Sequence, residues 1–418
     1  MYHFGSFLPI LIVHIRFFLY LCGKLSIIKF SKKMKRLILC ATLLAATMTA
    51  SAQNDYTGTW AAAAEWTGPA DSPRMTLSGN TLRDIVQVSI GGKVLQLQLS
   101  NEFSKEPVDI KSVYVADALD SCDINKKSAV QLTFGKSRSV TIEPGKTVMS
   151  DDFAYNLKPR QRLAITICYG ASMPTNVTSH RGSRTTSYIA VGEVAAKKKF
   201  VSAEKLDHWY NIAQLNVKTD GQVKAVAVLG NSITDGRGST TNLQNRWPDQ
   251  MAAHLDCGVL NLGIGGNCVV RGGLSEPALK RFDRDILGQK NVDRLIIFQG
   301  TNDIGTSHHA EKTANELIDA YKTLIKRAHD AGIKKVYGAT ITAFKGNGWY
   351  TPFHETARQV VNEWIRTSGE FDGVIDFDQL TRDPSDREKL KKEYSEDWLH
   401  LNPEGYRVMG EFAAEKLK

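Results

Sequence analysis

Four short segments of this chain hold polar side chains that could do chemistry, and three of them also hold the glycines that tight turns require. They are GNSITDG, which contains Ser232, NLGIGGN with Gly266, QGTND with Asn302, and DWLH, which runs from Asp397 to His400. A serine hydroxyl is a poor nucleophile at neutral pH and needs a base within hydrogen-bond reach, which a histidine can be. An aspartate three residues before that histidine can reach its other ring nitrogen and fix the tautomer. These residue types predict acyl transfer through a serine.

Each segment also has a structural interpretation. Gly, Asn, Ser and Asp are ordinary turn formers, GTND is a plausible helix cap, and a histidine next to tryptophan is more often structural than catalytic. The position of the segments in the fold decides between these interpretations. From Lys224 onward, apolar runs alternate with helical stretches such as residues 316–332, which predicts a parallel sheet covered by helices on both faces. The predicted strands are AVAVLG (225–230), GVLNLG (258–263), DRLIIFQG (293–300), KKVYGATI (334–341) and GVIDFD (373–378).

The catalytic segments follow three of these strands and precede the last helix, for which Asn402 is the predicted N-cap and Pro403 the first residue. Because the carboxyl ends of parallel strands meet at one sheet edge, the segments are expected to lie together there. In order and in type, they resemble the four blocks of the SGNH, or GDSL, hydrolase superfamily over roughly residues 224–418. One position departs from the family pattern: the residue before the serine is usually aspartate, and here it is Asn231, which keeps the size but loses the charge.

The resemblance implies a role for each matched residue. Ser232 falls on the nucleophile, Asp397 and His400 on the remaining two members of the catalytic triad, and Gly266 and Asn302 on the oxyanion hole. The backbone N–H groups of Ser232 and Gly266 and the Asn302 amide would then stabilise the oxyanion that forms when an ester carbonyl is attacked. An acyl-enzyme on Ser232 would be released by water activated by His400. This mechanism needs no metal and no cofactor, and the adjacent His308 and His309 lack the spacing of a zinc site.

The region from 53 to 222 has a different pattern. In short runs, apolar and polar residues alternate with period two. One such run, DIVQVSIGGKVLQLQLS, predicts a β-hairpin that turns at Gly91 and Gly92. Further strands are predicted within residues 108–118, 129–135, 139–145, 162–170 and 186–193, with no long helix between them. This predicts an antiparallel β-sandwich, which either binds sugar or covers one side of an active site.

The full prediction is therefore a three-layer α/β/α, flavodoxin-like SGNH domain with a parallel sheet at 223–418, preceded by a β-sandwich domain at 53–222. The segment TLRDIVQVSIGGKVLQLQLSNEF is similar to the N-terminal region of secreted SGNH proteins grouped with xylan-cluster arylesterases and acetylxylan esterases. This less specific resemblance suggests carbohydrate-linked esters as substrates.

Residues 1–52 form the leader. They hold seven of the 53 Lys and Arg residues and no acid, so the remaining 46 basic residues nearly balance 44 acidic ones. The formal charge of +9 therefore gives no argument for nucleic acid. From Met34, a basic start, an apolar stretch and small residues predict a signal peptide cleaved after Ala52, hence export to the periplasm or beyond, with no stable membrane insertion after cleavage. A membrane span in the apolar residues 7–23 is the alternative.

Export permits disulfides among four cysteines without fixing their pairing: Cys122, Cys168, Cys257 and Cys268.

Three functions are compatible with these residues. The favoured one is an exported serine esterase that removes small acyl groups, with acetyl expected, from carbohydrate esters such as acylated oligosaccharides. The same residues could serve a lipase, arylesterase or thioesterase, because a triad does not choose the acyl chain. A noncatalytic carbohydrate-binding protein would have no need for Ser232, Gly266, Asn302, Asp397 and His400 together.

Overall fold

The computed structural model describes residues 55–194 and 199–418, and Asp55–Lys418 form one compact unit. The predicted signal peptide, with its start at Met34 and its cleavage after Ala52, lies outside the described residues. Among the described residues, no helix is both long enough and apolar enough to cross a membrane. The predicted boundary between residues 222 and 223 stays a prediction, because the two halves of this unit pack against each other.

The first half consists of short antiparallel strands. They are β1 (Tyr56–Ala61), β2 (Glu65–Trp66), β3 (Thr81–Gln87), β4 (Gly92–Ser100), β5 (Val108–Asp117), β6 (Val130–Gln131), β7 (Val140–Ile142), β8 (Thr147–Met149), β9 (Phe153–Leu157), β10 (Arg162–Tyr169), β11 (Thr178–His180), β12 (Ser187–Ala190), β13 (Glu204–Leu206), β14 (Trp209–Tyr210) and β15 (Ile212–Lys218). One sheet has the order β1-β15-β4, with β8 and β9 on β4, and the other has the order β13-β12-β3-β10-β5, with β6 and β7 on β5. A small third sheet joins β14, β11 and β2.

The two large sheets pack face to face as a β-sandwich, as predicted. In β4 the side chains of Leu95, Leu97 and Leu99 are fully buried, whereas Gln96 and Gln98 between them are half-buried. These leucines share one apolar core with alternate residues of β10, Leu163 and Ile165 among them. Period-two alternation thus directs one face of each strand into the space between the sheets.

The predicted hairpin between β3 and β4 is wrong. β3 pairs with β10 and β12, whereas β4 pairs with β15, β8 and β9, so the two strands lie in different sheets. Both faces of β3 are buried, which suits a central strand of the larger sheet. The connecting residues bond to β1 instead: Ser89 N–H donates to the Thr59 carbonyl at 2.9 Å, and Ile90 N–H donates to the Thr59 hydroxyl at 3.0 Å. The Gly91–Gly92 turn therefore carries the chain from one sheet to the other.

The second half is a parallel sheet with helices on both faces. Its strands are β16 (Ala225–Gly230), β17 (Gly258–Gly263), β18 (Val292–Phe298), β19 (Lys335–Ala339) and β20 (Gly373–Ile375). Its helices are α1 (Ser232–Asp235), α2 (Trp247–Ala252), α3 (Ala278–Phe282), α4 (Thr301–Gly305), α5 (Ala310–Asp330), α6 (Pro352–Thr367), α7 (Phe377–Thr381) and α8 (Pro403–Leu417). A π-helical turn at Asp283–Leu287 and 3-10 turns at Pro69–Asp71 and Lys392–Tyr394 complete the described elements.

The strand order β17-β16-β18-β19-β20 confirms the flavodoxin-like prediction. One face of the sheet is covered by α5 and α6, and the other by α2 and α8. The predicted apolar face of α5 is buried, and Asn402 caps α8 by accepting the Gly405 N–H at 3.0 Å. β17 pairs with one edge of β16, and the next strand, β18, pairs with the other edge. The direction in which strands are added therefore reverses at β16, and the loop after β16 lies where such sheets bind ligands.

The β-sandwich packs against the edge of the parallel sheet. Val259 N–H in β17 donates to the Ser89 hydroxyl at 3.0 Å, and Gly58 N–H in β1 donates to the Lys290 carbonyl at 3.1 Å. These bonds satisfy main-chain donors of both halves and join the sandwich to the amino-terminal side of β17 and β18.

Candidate active site

Ser232 is the first residue of α1, immediately after β16. The side-chain oxygen of Asn231 caps this helix by accepting the Ile233 N–H at 3.0 Å. The strand thus passes into the helix without an intervening loop, which presents the serine at the sheet edge. Its Oγ lies 2.9 Å from His400 Nε2, and His400 Nδ1 lies 2.7 Å from Asp397 Oδ2. The structure therefore brings the three predicted triad residues into one hydrogen-bonded chain.

Asp397 is held by the main chain that precedes α8. Its Oδ1 accepts the N–H groups of Leu399 at 3.0 Å and His400 at 2.8 Å. Burial opposes ionisation of this carboxyl, but the hydrogen bonds from the His400 side chain and main chain outweigh it, so the pKa of Asp397 is lowered. The ionised aspartate accepts from Nδ1–H, which leaves Nε2 free to accept the serine proton.

His400 itself is poised as a neutral base. Burial of the imidazole is the main cause that lowers its pKa, Asp397 opposes the shift, and the positive charges of Arg237 and Arg184 add to it. A base whose pKa lies below its ordinary value is unprotonated at neutral pH, as acceptance of the serine proton requires.

Gly266 and Asn302, the two other residues predicted for the oxyanion hole, line the cavity that also contains Ser232 and His400. Gly266 has φ +70°, in the left-handed region that favours glycine, and its N–H has no acceptor among the described residues. The buried Asn302 amide donates to the Asn267 carbonyl at 2.8 Å. The segment GTND does begin a helix, as its structural interpretation expects, but the N-cap of α4 is Gly300, and Asn302 lies inside the helix. The Ser232 N–H, at a helix N-terminus, has no acceptor within α1.

Asn231 replaces an aspartate without losing the cap. Its oxygen makes the capping bond described above, but its Nδ2 is buried with no partner among the described residues. An unpaired buried amide donor costs free energy. The asparagine thus keeps the helix cap while leaving one amide donor unpaired, and no negative charge lies directly before Ser232.

The predicted triad and oxyanion-hole residues line a cavity of about 630 Å³. The parallel-sheet half contributes Ser232, Asp235, Arg237, Gly265, Gly266, Gly273, Leu274, Asn302, Thr306, Asn347, Trp349, Asp397, Leu399 and His400. The sandwich contributes Glu65, Asp71, Arg181, Gly182, Arg184 and His208. Of the two interpretations of the sandwich, the structure favours the one in which it covers one side of the active site.

A buried ion pair, which the sequence did not reveal, joins the sandwich to α1, the helix that begins at Ser232. His180 Nδ1 lies 2.9 Å from the Ala63 carbonyl, and Nε2 lies 3.0 Å from Asp235 Oδ1. Both oxygens are acceptors, so both ring nitrogens donate and His180 is an imidazolium ion. Burial alone would lower the pKa of His180, but the charge and hydrogen bond of Asp235 and the charge of Glu65 outweigh burial and raise it.

The fit around this pair is close. A Cβ at Gly182 would overlap the Asp235 carboxylate, so only glycine lets the sandwich loop pass here. Asp235 is the last residue of α1, three positions after Ser232. His180 therefore holds the last residue of the helix that begins at Ser232.

Replacing His180 with glutamine is expected to lower the free energy of unfolding by about 3 kcal/mol near pH 6, because Asp235 loses its buried cation. Since the folded pKa is raised, the stabilisation by His180 is complete below its unfolded pKa of about 6.5 and is lost as pH rises through the folded pKa. Urea unfolding of wild type and His180→Gln from about pH 6 to about pH 9 should show the difference shrinking. His254→Gln, at an exposed position, is the control. A difference that stays constant over this range would mean that His180 is neutral.

Other residues with possible chemistry lie elsewhere. His308 and His309 line a separate cavity of about 230 Å³ that does not include Ser232. Within the described residues, no group of three or more His, Cys, Asp or Glu side chains is arranged to hold a metal ion. Of the aromatic residues after β19, only Trp349 lines the Ser232 cavity, whereas the Tyr350 ring packs on Phe344. The four described cysteines are free thiols.

One family model matches the half of the chain that holds the predicted triad. Residues 228–408 match the model of the GDSL-like lipase/acylhydrolase family. No curated protein matches the chain. Similar solved structures include a GDSL-like lipase from Bacteroides thetaiotaomicron (20% identity, 47% of this chain and 89% of that chain, TM-score 0.36), a carbohydrate acetylesterase family member from Sinorhizobium meliloti (16%, 47% and 97%, 0.38) and an aryl esterase from M. smegmatis (16%, 47% and 98%, 0.37). Over residues 228–408, the part of the chain that holds Ser232, Asp397 and His400, the sequence is therefore similar to GDSL-like lipases and acylhydrolases.

Proposed function

We propose that this protein is an exported serine esterase that removes small acyl groups, chiefly acetyl, from carbohydrate esters. The observation that supports it most is the hydrogen-bonded chain of Ser232, His400 and Asp397 in a cavity that also holds Gly266 and Asn302. The leader pattern from Met34 supports export to the periplasm or the exterior.

In the proposed mechanism, His400 Nε2 takes the Ser232 proton as Oγ attacks the ester carbonyl. The carbonyl oxygen becomes an oxyanion, which accepts from the N–H groups of Ser232 and Gly266 and from the Asn302 amide. His400 then returns the proton to the leaving alcohol, and the acyl group stays on Oγ. A water that gives its proton to the same nitrogen attacks the acyl-enzyme, and the acid leaves as Ser232 is reprotonated.

The cavity lining favours a polar alcohol and a short acyl group. Charged side chains of both halves face the cavity, whereas its large apolar side chains are Leu274, Trp349 and Leu399. Burying a long alkyl chain next to charged groups would remove their hydration without compensation. A sugar can hydrogen-bond to such groups and stack on Trp349, which is 36% exposed.

Acetyl esters should be hydrolysed with a kcat/KM at least about tenfold higher than octanoyl esters, because the cavity offers little apolar surface for the longer chain. The measurement uses the 4-nitrophenyl esters of acetate, butyrate and octanoate, together with acetylated xylan oligomers. Leu274 lies against Gly266 and is one of the few large apolar side chains of the cavity, so Leu274→Ala is expected to lower octanoate hydrolysis further relative to acetate. Leu119→Ala is the matched control, because Leu119 and Leu274 are both 51% exposed. A wild-type preference for octanoate would indicate a lipase instead.

A further inference from the structure

The charges that line the Ser232 cavity fall into two groups, and His180 lies between them, with Nδ1 3.6 Å from Glu65 and Nε2 3.0 Å from Asp235. At one end, the carboxylate of Glu65 accepts two hydrogen bonds from the Arg181 guanidinium, through Nε at 3.1 Å and Nη2 at 2.5 Å. Asp71 lies 3.9 Å from the same guanidinium and 3.8 Å from His208 Nε2. Arg181 is therefore already paired. Because burial lowers the pKa of His208, the two carboxylates at this end, Glu65 and Asp71, face a single permanent cation.

The other end holds two arginines whose charges are not fully paired. Arg184 approaches a carboxylate only at Asp235, 3.6 Å away, and Asp235 already accepts from the His180 imidazolium. The Arg184 Nε is buried with no partner among the described residues. The Arg237 guanidinium is exposed and forms neither an ion pair nor a hydrogen bond with any residue that the structure describes.

Both guanidinium groups act on the catalytic histidine. Their positive charges add to the effect of burial in lowering the pKa of His400. The main chain next to Arg237 is also close to His400: a Cβ placed on Gly238 would lie 3.7 Å from the His400 Cβ. The positive end of the cavity is therefore the end next to the imidazole.

The position of the imidazole identifies which part of an ester would meet these charges. His400 must hand its proton to the leaving oxygen, so the alcohol part of the ester lies on the histidine side. The carbonyl oxygen points away, toward Gly266 and Asn302.

We propose that Arg184 and Arg237 bind a carboxylate on the alcohol part of the substrate, so that the enzyme prefers acyl esters of acidic sugars. The proposal rests on the proposed esterase function and specifies its substrate class. Guanidinium groups suit this task because they donate several hydrogen bonds to a carboxylate in a fixed planar geometry.

The backbone of Arg184 supports a functional role. Its φ is +48°, a left-handed conformation that is uncommon for residues other than glycine. The sandwich loop that carries it is tied to the parallel-sheet half by a bond of 2.9 Å from Asn242 N–H to the Arg184 carbonyl. Such unusual backbone conformations cluster at ligand-binding sites.

The test compares the 2-, 3- and 4-acetoxybenzoates with their methyl esters, each rate being normalised to its hydroxide-catalysed hydrolysis. These isomers place a carboxylate at three distances from the same acetyl ester. Wild type should favour at least one anionic isomer over its neutral ester, with the preference weakening at high salt. Arg184→Gln and Arg237→Gln should each reduce the anionic-to-neutral ratio of kcat/KM by about tenfold, mainly through KM.

Arg138→Gln is the matched control, since Arg138 is exposed in the sandwich and does not line the cavity. It should leave the ratio at the wild-type value. Arg237→Gln removes an exposed side chain, so a folding defect is not expected to obscure the result. Wild-type ratios that never exceed one, or that neither arginine variant changes, would overturn the proposal while leaving the esterase function intact. Failure of wild type to hydrolyse any of these esters would instead contradict the esterase function itself.

Discussion

Ser232→Ala is expected to lower kcat on 4-nitrophenyl acetate by about 10⁴-fold or more, because no other group in the cavity can form the acyl-enzyme. The Ser232 hydroxyl is bonded only to His400 among the described residues, so its loss should change the free energy of unfolding little. A fluorophosphonate probe should label wild type at Ser232 and leave the variant unlabelled.

Ser239→Ala is a suitable control for this experiment. Ser239 is the next serine along the chain and does not line the cavity. Its replacement should preserve both hydrolysis and labelling. If the Ser232 variant kept near-normal activity with a normal urea midpoint, the ester would have to be cleaved without a serine nucleophile, and the proposed mechanism would be wrong.

The parallel-sheet half was predictable because its signals are local. Each strand is an apolar run that a turn residue ends, and the cap at Asn402 and Pro403 marks the last helix within the sequence itself. Since the carboxyl ends of parallel strands share one edge, placing the strands also places the loops that follow them. The contacts among Ser232, Asp397 and His400 follow from that topology.

The partners of the sandwich strands were not predictable in the same way. Alternation in residues 84–100 identifies two strands, but it does not say which strand lies beside each. Ser89 and Ile90 bond to Thr59, about thirty residues away, and this contact turns an expected hairpin into a crossing between sheets. Strand pairing depends on such distant contacts, whereas the alternation that marks a strand is visible within the segment itself.

The sandwich wall of the active site gave no sequence signal for a related reason. His180 and Arg184 lie in a short polar segment without a motif, and their partner Asp235 resembled an ordinary turn residue in GNSITDG. Asp235 is nevertheless nearly fully buried, and the ion pair with His180 satisfies it across 55 residues of chain. The only local indication was the position of Asp235, a charged residue three positions after Ser232 and close to a buried strand. A carboxylate buried there needs a cation from elsewhere in the chain.

Asn302→Ala is expected to lower kcat by about 10²–10³-fold with little change in KM, because its amide would donate to the carbonyl oxygen chiefly once that oxygen becomes an oxyanion. The structure adds a second effect. The same amide donates to the buried Asn267 carbonyl, so the variant should also lose about 1–3 kcal/mol of the free energy of unfolding. Activity must therefore be measured together with the urea midpoint.

Asn362→Ala separates the two effects. Asn362 is also a buried amide that bonds to the main chain, since it donates to the Ile341 carbonyl at 2.8 Å, but it does not line the cavity. Its loss should lower the urea midpoint at least as much as the loss of Asn302, with kcat unchanged under conditions where both variants are folded. If Asn302→Ala also lowered the urea midpoint and left kcat normal, the Asn302 amide would hold the Gly266–Asn267 loop in place without stabilising the oxyanion. The backbone N–H groups of Ser232 and Gly266 would then have to stabilise the oxyanion alone.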